Sequence, residues 1–236
     1  MKKPELVIFD MDGLMFDTGV LAYRSYLEGA KYFDFTVNHS VYYYLTGRRD
    51  KEIREIMKEL YGEEVPISEW RDKIILKREK ILSDEKRVYK KKGLLELLEF
   101  LKKNNFKIAL ASSSSKEKIK YYFEIEDMPD VFDIIISGDE VYTGKPNPEI
   151  FLKACEKANV LPQNALVLED SMVGIEAALQ GNIIPFLIPD DISNLETYIG
   201  KYPLLKNPEE LLRSKPKNVR CFNDLLEVRD YLKNKL

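Results

Sequence analysis

The sequence predicts an α/β protein: a doubly wound parallel sheet, Rossmann-like in layout, with an all-helical segment inserted after its first strand. Three observations predict it. Short runs rich in Val, Ile and Leu recur along the chain without the in-and-out alternation of a half-exposed sheet, which marks strands covered on both faces. Segments with apolar residues at helical spacing separate those runs. The first run is divided from the second by far more chain than one crossover helix needs.

In chain order, the first strand is Leu6–Asp10. The long interval after it reads as helices. Ile53, Ile56, Met57, Leu60 and Tyr61 fall at helical spacing, as do Trp70, Ile74 and Ile81 with Ile75 and Leu82 beside them; Ser68 is the expected N-cap. These place a helical cap domain at residues 19–88, with hinges at Thr18–Gly19 and at 87–92. Residues 1–18 and 89–236 then form the sheet domain. Leu94, Leu97, Leu98 and Leu101 share a helix face and lead to a strand at Lys107–Ser112. Strands follow at Asp133–Ser137, Ala165–Glu169 and Ile183–Ile188, and Val219–Phe222 is a candidate sixth. Ile150, Phe151, Ala154 and Ala158 mark one intervening helix, with Cys155 on its core face. Leu225, Val228, Tyr231 and Leu232 mark the last, and a short helix is expected near Pro208–Arg213.

Composition narrows the class. The 236 residues are 44% apolar and 33% charged, with a formal net charge of −3, which is ordinary for a globular protein and lacks the basic face of a nucleic-acid binder. Two cysteines far apart argue for a reducing compartment and against a disulfide framework or a zinc site. No apolar run is long enough to span a membrane, and the first strand begins too early for a signal peptide. The expectation is a cytoplasmic protein.

The chemistry concentrates at strand ends, where open α/β sheets bind ligands. Asp10 and Asp12 end the first strand in Phe9-Asp10-Met11-Asp12-Gly13. Two carboxylates one residue apart repel unless a cation or a shared chemical task holds them there, so the pair points to Mg²⁺ and phosphate chemistry. Ser112, Ser113, Ser114 and Ser115 end the second strand, Lys145 follows the third in Gly144-Lys145-Pro146, and Glu169 and Asp170 end the fourth before Ser171. An anionic phosphate ester needs its charge neutralised, which a lysine and Mg²⁺ can do; hydroxyls and backbone N–H groups can hold its oxygens. A carboxylate can itself be the nucleophile, with a second one as acid and base.

These motifs resemble those of the haloacid dehalogenase superfamily: Asp10-Met11-Asp12-Gly13 with Asp17-Thr18, then Ser112, then Lys145-Pro146, then Glu169-Asp170-Ser171 with Gly174. Four motifs in order over about residues 1–190 make the signal specific. The chain is similar to the branch with a helical cap that holds sugar-phosphate phosphatases and β-phosphoglucomutase. The resemblance implies Asp10 as nucleophile and metal ligand, and Asp12 as general acid/base, binding the metal through its carbonyl. It implies Ser112 and Lys145 as phosphate-handling groups and Asp170 as the rest of a Mg²⁺ site, with Glu169 either a direct ligand or a supporting partner behind the ligands. Thr18 matches the hinge position. Ser113, Ser114 and Lys116, with Gly47, Arg48 and Arg49 on the cap, are candidate substrate contacts, whereas Ser115 reads as a helix cap.

Two departures bear on the reaction. Where the mutase pattern has a histidine four residues after the hinge threonine, this chain has Ala22; where it has an arginine three residues after the cap glycine, Gly47 is followed by Asp50. Both favour a hydrolase over a phosphomutase. Retention of Asp12, Glu169 and Asp170 argues against a dehalogenase, and the unbroken motifs argue against a non-catalytic binding protein. The expected partner is a small phosphorylated metabolite, with no nucleic acid, no membrane and a monomeric state. His39, the only histidine, reads as a surface residue, and Tyr42, Tyr43 and Tyr44 read as cap packing.

Overall fold

The computed structural model describes residues 3–48, 50–211 and 219–235. It divides into two compact units: 1–17 with 88–190 and 215–236, and 18–87 with 191–214. The first is built on a six-stranded parallel sheet in the order β3-β2-β1-β4-β5-β6, where β1 is Leu6–Phe9, β2 Lys107–Ala111, β3 Ile134–Ile136, β4 Ala165–Glu169, β5 Ile184–Leu187 and β6 Arg220–Cys221. β1 is central: Phe9 pairs with Leu110 of β2 and Leu168 of β4. Every residue of β1 and β4 is buried, which is why neither alternates. The strand order reverses beside β1, so the ends of β1, β2 and β4 face one crevice.

The second unit starts with four helices: α1 (Thr18–Phe33), α2 (His39–Leu45), α3 (Asp50–Tyr61) and α4 (Ile67–Glu85). Its core centres on Trp70, which stacks on Phe35 at 4.2 Å and meets Tyr61 edge-on at 5.0 Å. Tyr42 is buried in that core and Tyr43 and Tyr44 pack against it. Gly29 is where α1 meets α4: a Cβ there would lie 2.8 Å from Trp70 Nε1 and 2.9 Å from Ile74 Cγ1. Trp70 is fully buried and cannot withdraw. Gly29→Val is therefore expected to destabilise this unit by about 1–3 kcal/mol through overpacking, read as a lower urea midpoint.

Two expectations for this region need correction. α4 begins at Ile67 after Pro66, which makes no side-chain cap bond, so Ser68 lies inside the first turn and not at the N-cap. His39 opens α2 half-buried: its Nε2 donates to the Leu195 carbonyl at 2.7 Å and its ring packs on Tyr23.

Helices α5 (Leu94–Lys103), α6 (Lys116–Ile125), α7 (Glu149–Ala158) and α8 (Met172–Gln180) alternate with the strands of the first unit. α5 and α7 bury the stripes that their periodicity marks, Leu94, Leu97, Leu98 and Leu101 on one and Ile150, Phe151, Ala154 and Ala158 on the other, with Cys155 buried beside them. Ser115 caps α6 by accepting the Lys118 N–H, and Ser171 caps α8 by accepting that of Gly174.

After β5 the chain leaves the sheet unit. Residues 191–214 group with the helical unit, so residues 89–236 do not all belong to the sheet domain as the sequence pattern has it. The reason is local pairing: Val37 exchanges backbone hydrogen bonds with Tyr198, Thr36 N donates to the Tyr202 carbonyl, and Leu205 N donates to that of Leu60. Ile192 is buried in the same core as Trp70. The short helix α9 spans Pro208–Leu211, and Arg213 lies outside the described residues. β6 and α10 (Leu225–Lys233) complete the sheet unit, with Leu225, Val228 and Leu232 buried. Among the described residues, no helix is long and apolar enough to cross a membrane.

Candidate active site

Asp10 follows β1 directly, and its N–H donates to the Leu168 carbonyl of β4 at 3.0 Å, which ties it to the neighbouring strand. Its carboxylate accepts a short hydrogen bond from Lys145. Lys145 Nζ also donates to Glu169 Oε1 at 2.6 Å and lies over the Phe151 ring. All three side chains are nearly inaccessible. Oxygens of Asp10, Glu169 and Asp170 lie within 4.8 Å of one another. The cluster thus holds three carboxylates against one ammonium.

That imbalance shows in proton affinity. Burial pushes the Asp10 carboxyl up to about 7, with Lys145 pulling it down and the Glu169 charge pushing further up. Burial, then the charges of Glu169 and Asp10, hold Asp170 well above the usual carboxylate range. Burial pulls the Lys145 ammonium down, but Asp10 and Glu169 outweigh it and the net shift is upward.

The residues fit a divalent cation. Asp170 Oδ2 is buried with no hydrogen-bond partner among the described residues, an arrangement that costs free energy unless a cation completes it. Gly13 sits at φ +86°, and a Cβ there would come within 2.1 Å of that same oxygen, so this glycine keeps the oxygen open. Hard carboxylate oxygens suit Mg²⁺. Glu169 is the least available of the three. Its Oε1 takes Lys145, and its Oε2 takes the Ser171 N–H and hydroxyl, each at 2.9 Å. Its carboxylate lies against Gly174, where a Cβ would sit 1.8 Å from Oε1.

Asp12 stands apart from this cluster. Its Oδ2 accepts the Ser114 hydroxyl at 2.6 Å, and Lys118 Nζ reaches Oδ1 at 2.9 Å and Oδ2 at 3.1 Å. Ser112 is buried, and its Oγ accepts the Ser114 N–H at 3.1 Å. Ser113 and Lys116 are exposed, and the Lys116 N–H is held by Asp139. Gly47 and Arg48 lie in the helical unit. Arg48 is engaged there: it donates to the Tyr44 carbonyl at 3.0 Å, lies over the Tyr44 ring and pairs with Glu52 at 3.8 Å. Arg49 lies outside the described residues.

Sequence reasoning did not single out Lys118, Lys91 or Asp190. Lys91 Nζ binds buried Asp190 at 2.6 Å and approaches Asp17 at 3.6 Å. Lys118 had a usable signal: with Ser115 as cap it falls in the first turn of α6, near the ends of the strands.

Comparison with known proteins agrees with this layout. A sequence profile of haloacid dehalogenase-like hydrolases matches residues 7–187. A phosphorylated carbohydrates phosphatase of Thermotoga maritima is 32% identical over 218 residues, covering 88% of this chain and 96% of the relative. A crystal structure from Thermotoga maritima, provisionally assigned as a β-phosphoglucomutase, is 26% identical with a TM-score of 0.68, over 98% of this chain and all of that one. A β-phosphoglucomutase from Clostridium difficile, 24% identical, shares the fold with a TM-score of 0.68 over 98% and 96% of the two chains. With its motifs at the ends of β1, β2 and β4 and after β3, the chain belongs to the haloacid dehalogenase-like hydrolases.

Proposed function

We propose that the protein is a Mg²⁺-dependent phosphatase of a small phosphorylated metabolite, a sugar phosphate, and that it works through an aspartyl-phosphate. The observation that carries this reading is the buried Lys145 bridge from Asp10 to Glu169, beside the unpartnered Asp170 oxygen. Lys145 holds the Asp10 carboxylate in place and offers positive charge where a phosphoryl group arrives. An Asp10 oxygen attacks phosphorus, the bond from phosphorus to the leaving-group oxygen breaks, and Asp12 gives the departing oxygen a proton, so that it leaves as the alcohol. Asp12 then takes a proton from water as the water attacks phosphorus, releasing phosphate and restoring Asp10. Ser112 and the backbone N–H groups beside it hold the phosphoryl oxygens. Asp170, Asp10 and the Asp12 carbonyl would hold Mg²⁺, which would supply further charge neutralisation; Glu169 orients Lys145. The named activity of the Thermotoga maritima relative supports the substrate class.

A phosphomutase is the second reading, favoured by the fold shared with β-phosphoglucomutases. Asp50 weighs against it. Where the mutase pattern has an arginine, its carboxylate is committed to Arg54 and Arg71, each at 2.8 Å. The test is phosphate release with Mg²⁺ across hexose, pentose and polyol phosphates and nucleotides, with isomerised products assayed in parallel. Phosphate release identifies the hydrolase; interconversion of sugar 1- and 6-phosphates without release identifies the mutase.

In chelator, Asp170→Asn is expected to raise the melting temperature, because it removes a buried carboxylate lacking a partner. The gain should grow from roughly pH 4 upward, because a carboxyl with a raised folded-state value stabilises the native form only while protonated. Adding Mg²⁺ should stabilise the native protein by about 1–3 kcal/mol at saturating concentration and leave the variant unmoved. Differential scanning calorimetry reads both effects.

A further inference from the structure

The sheet unit holds another lysine–aspartate pair, Lys118 with Asp12, whose lysine has no part in the proposed reaction. We propose that Lys118 is a positioning residue that, with Ser114, fixes the Asp12 carboxylate at its proton-transfer station and keeps it out of the metal-binding cluster. This inference rests on the phosphatase reading above.

Four observations carry it. Asp12 is two residues from Asp10, yet its carboxylate does not belong to the group of oxygens shared by Asp10, Glu169 and Asp170. Lys118 Nζ contacts both of its oxygens, at 2.9 and 3.1 Å, and the Ser114 hydroxyl holds Oδ2 at 2.6 Å. Lys118 is itself anchored, because its N–H donates to the capping oxygen of Ser115 and its ammonium lies 5.0 Å from the Tyr122 ring centroid. Lys145 is fully committed to Asp10 and Glu169, so it cannot serve Asp12. Each aspartate of the first motif therefore has its own lysine: a buried one for the nucleophile, and a half-buried one for the acid/base. A carboxylate this close to a divalent cation, with no ammonium of its own, is drawn toward that cation. Lys118 opposes that pull and limits the rotamers of Asp12.

Leaving-group dependence tests this. The p-nitrophenolate ion leaves without help, whereas phenolate gains from a proton donor, and kcat/KM reports the steps through departure of the leaving group. Lys118→Met is expected to lower kcat/KM for phenyl phosphate by about tenfold or more, the scale of a mispositioned general acid. The loss for p-nitrophenyl phosphate should be much smaller, and Lys118→Arg should recover most of the phenyl phosphate rate. In an Asp12→Asn background Lys118→Met should add nothing, because the group it positions is gone. Equal losses on both substrates, no loss on either, or an undiminished effect in the Asp12→Asn background would each overturn the proposal. Lys118→Gln repeats the comparison with a polar neutral side chain if the Met variant folds poorly. The two readings fail separately: an Asp10→Asn protein that still turns over refutes the phosphatase mechanism, whereas an inactive Asp10→Asn beside an unaffected Lys118→Met refutes only the role of Lys118.

Discussion

Asp10→Asn is expected to abolish phosphate release, by about 10⁴-fold or more, while the protein stays folded. The substitution keeps the shape of the side chain and its position after β1, where the backbone bond to Leu168 does not depend on the carboxylate. It removes the nucleophilic oxygen, because an amide cannot form the acyl phosphate. It also removes one of the three carboxyl groups clustered at Lys145, and the lysine keeps Glu169 as its anionic partner. Stability in chelator should therefore hold or rise. Loss of turnover together with an unchanged or higher melting temperature separates a chemical role from a structural one. A variant that unfolds would instead show that Asp10 mainly balances Lys145.

Lys145→Met is expected to cost both activity and stability. Lys145 is the cation that meets buried Asp10 and Glu169, and removing one member of such a group leaves uncompensated charge in the interior. The cost should be about 3–5 kcal/mol, a large share of a typical domain's margin. The sign of its pH dependence follows from the direction of the shifts. Asp10 already binds its proton more tightly folded than unfolded, and loss of the ammonium strengthens that preference. A raised carboxyl stabilises the native state at low pH and loses that contribution as pH rises. The penalty of Lys145→Met should therefore be larger near about pH 8 than near about pH 5, and urea titrations in chelator measure it. Mg²⁺ should recover part of the lost stability, since it supplies positive charge to the same carboxylates.

The centre of the sheet was legible because β1 and β4 are buried along their whole length, which makes their runs continuously apolar. The expected Ala165–Glu169 strand is the observed one, and the others differ by a residue or two at the ends, where Asp10 and Ser112 turn from ladder positions to side-chain work. The motif residues were legible because strand ends in such a sheet converge whatever lies between them. What escaped depended on contacts between distant segments. Residues 191–214 are polar enough to read as loop, and what joins them to the helical unit is long-range: backbone pairing with residues 34–37, the Leu205–Leu60 bond and the burial of Ile192. Lys118 is one of many lysines, and its place in the first turn after the Ser115 cap is a weak local signal beside the contact with Asp12 that α6 creates. Glu169 could be read as ligand or support, and its commitment to Lys145 and Ser171 favours support.

In the proposed reaction Asp10 carries the phosphoryl group. Acid-quenched single turnover with a ³²P-labelled sugar phosphate, chosen as the fastest substrate of the panel, followed by peptide mapping, tests it most directly. The expected result is a transient, Mg²⁺-dependent acyl phosphate on the peptide containing Asp10, absent in Asp10→Asn. Turnover without any phosphoprotein, or label on a different residue, would contradict it.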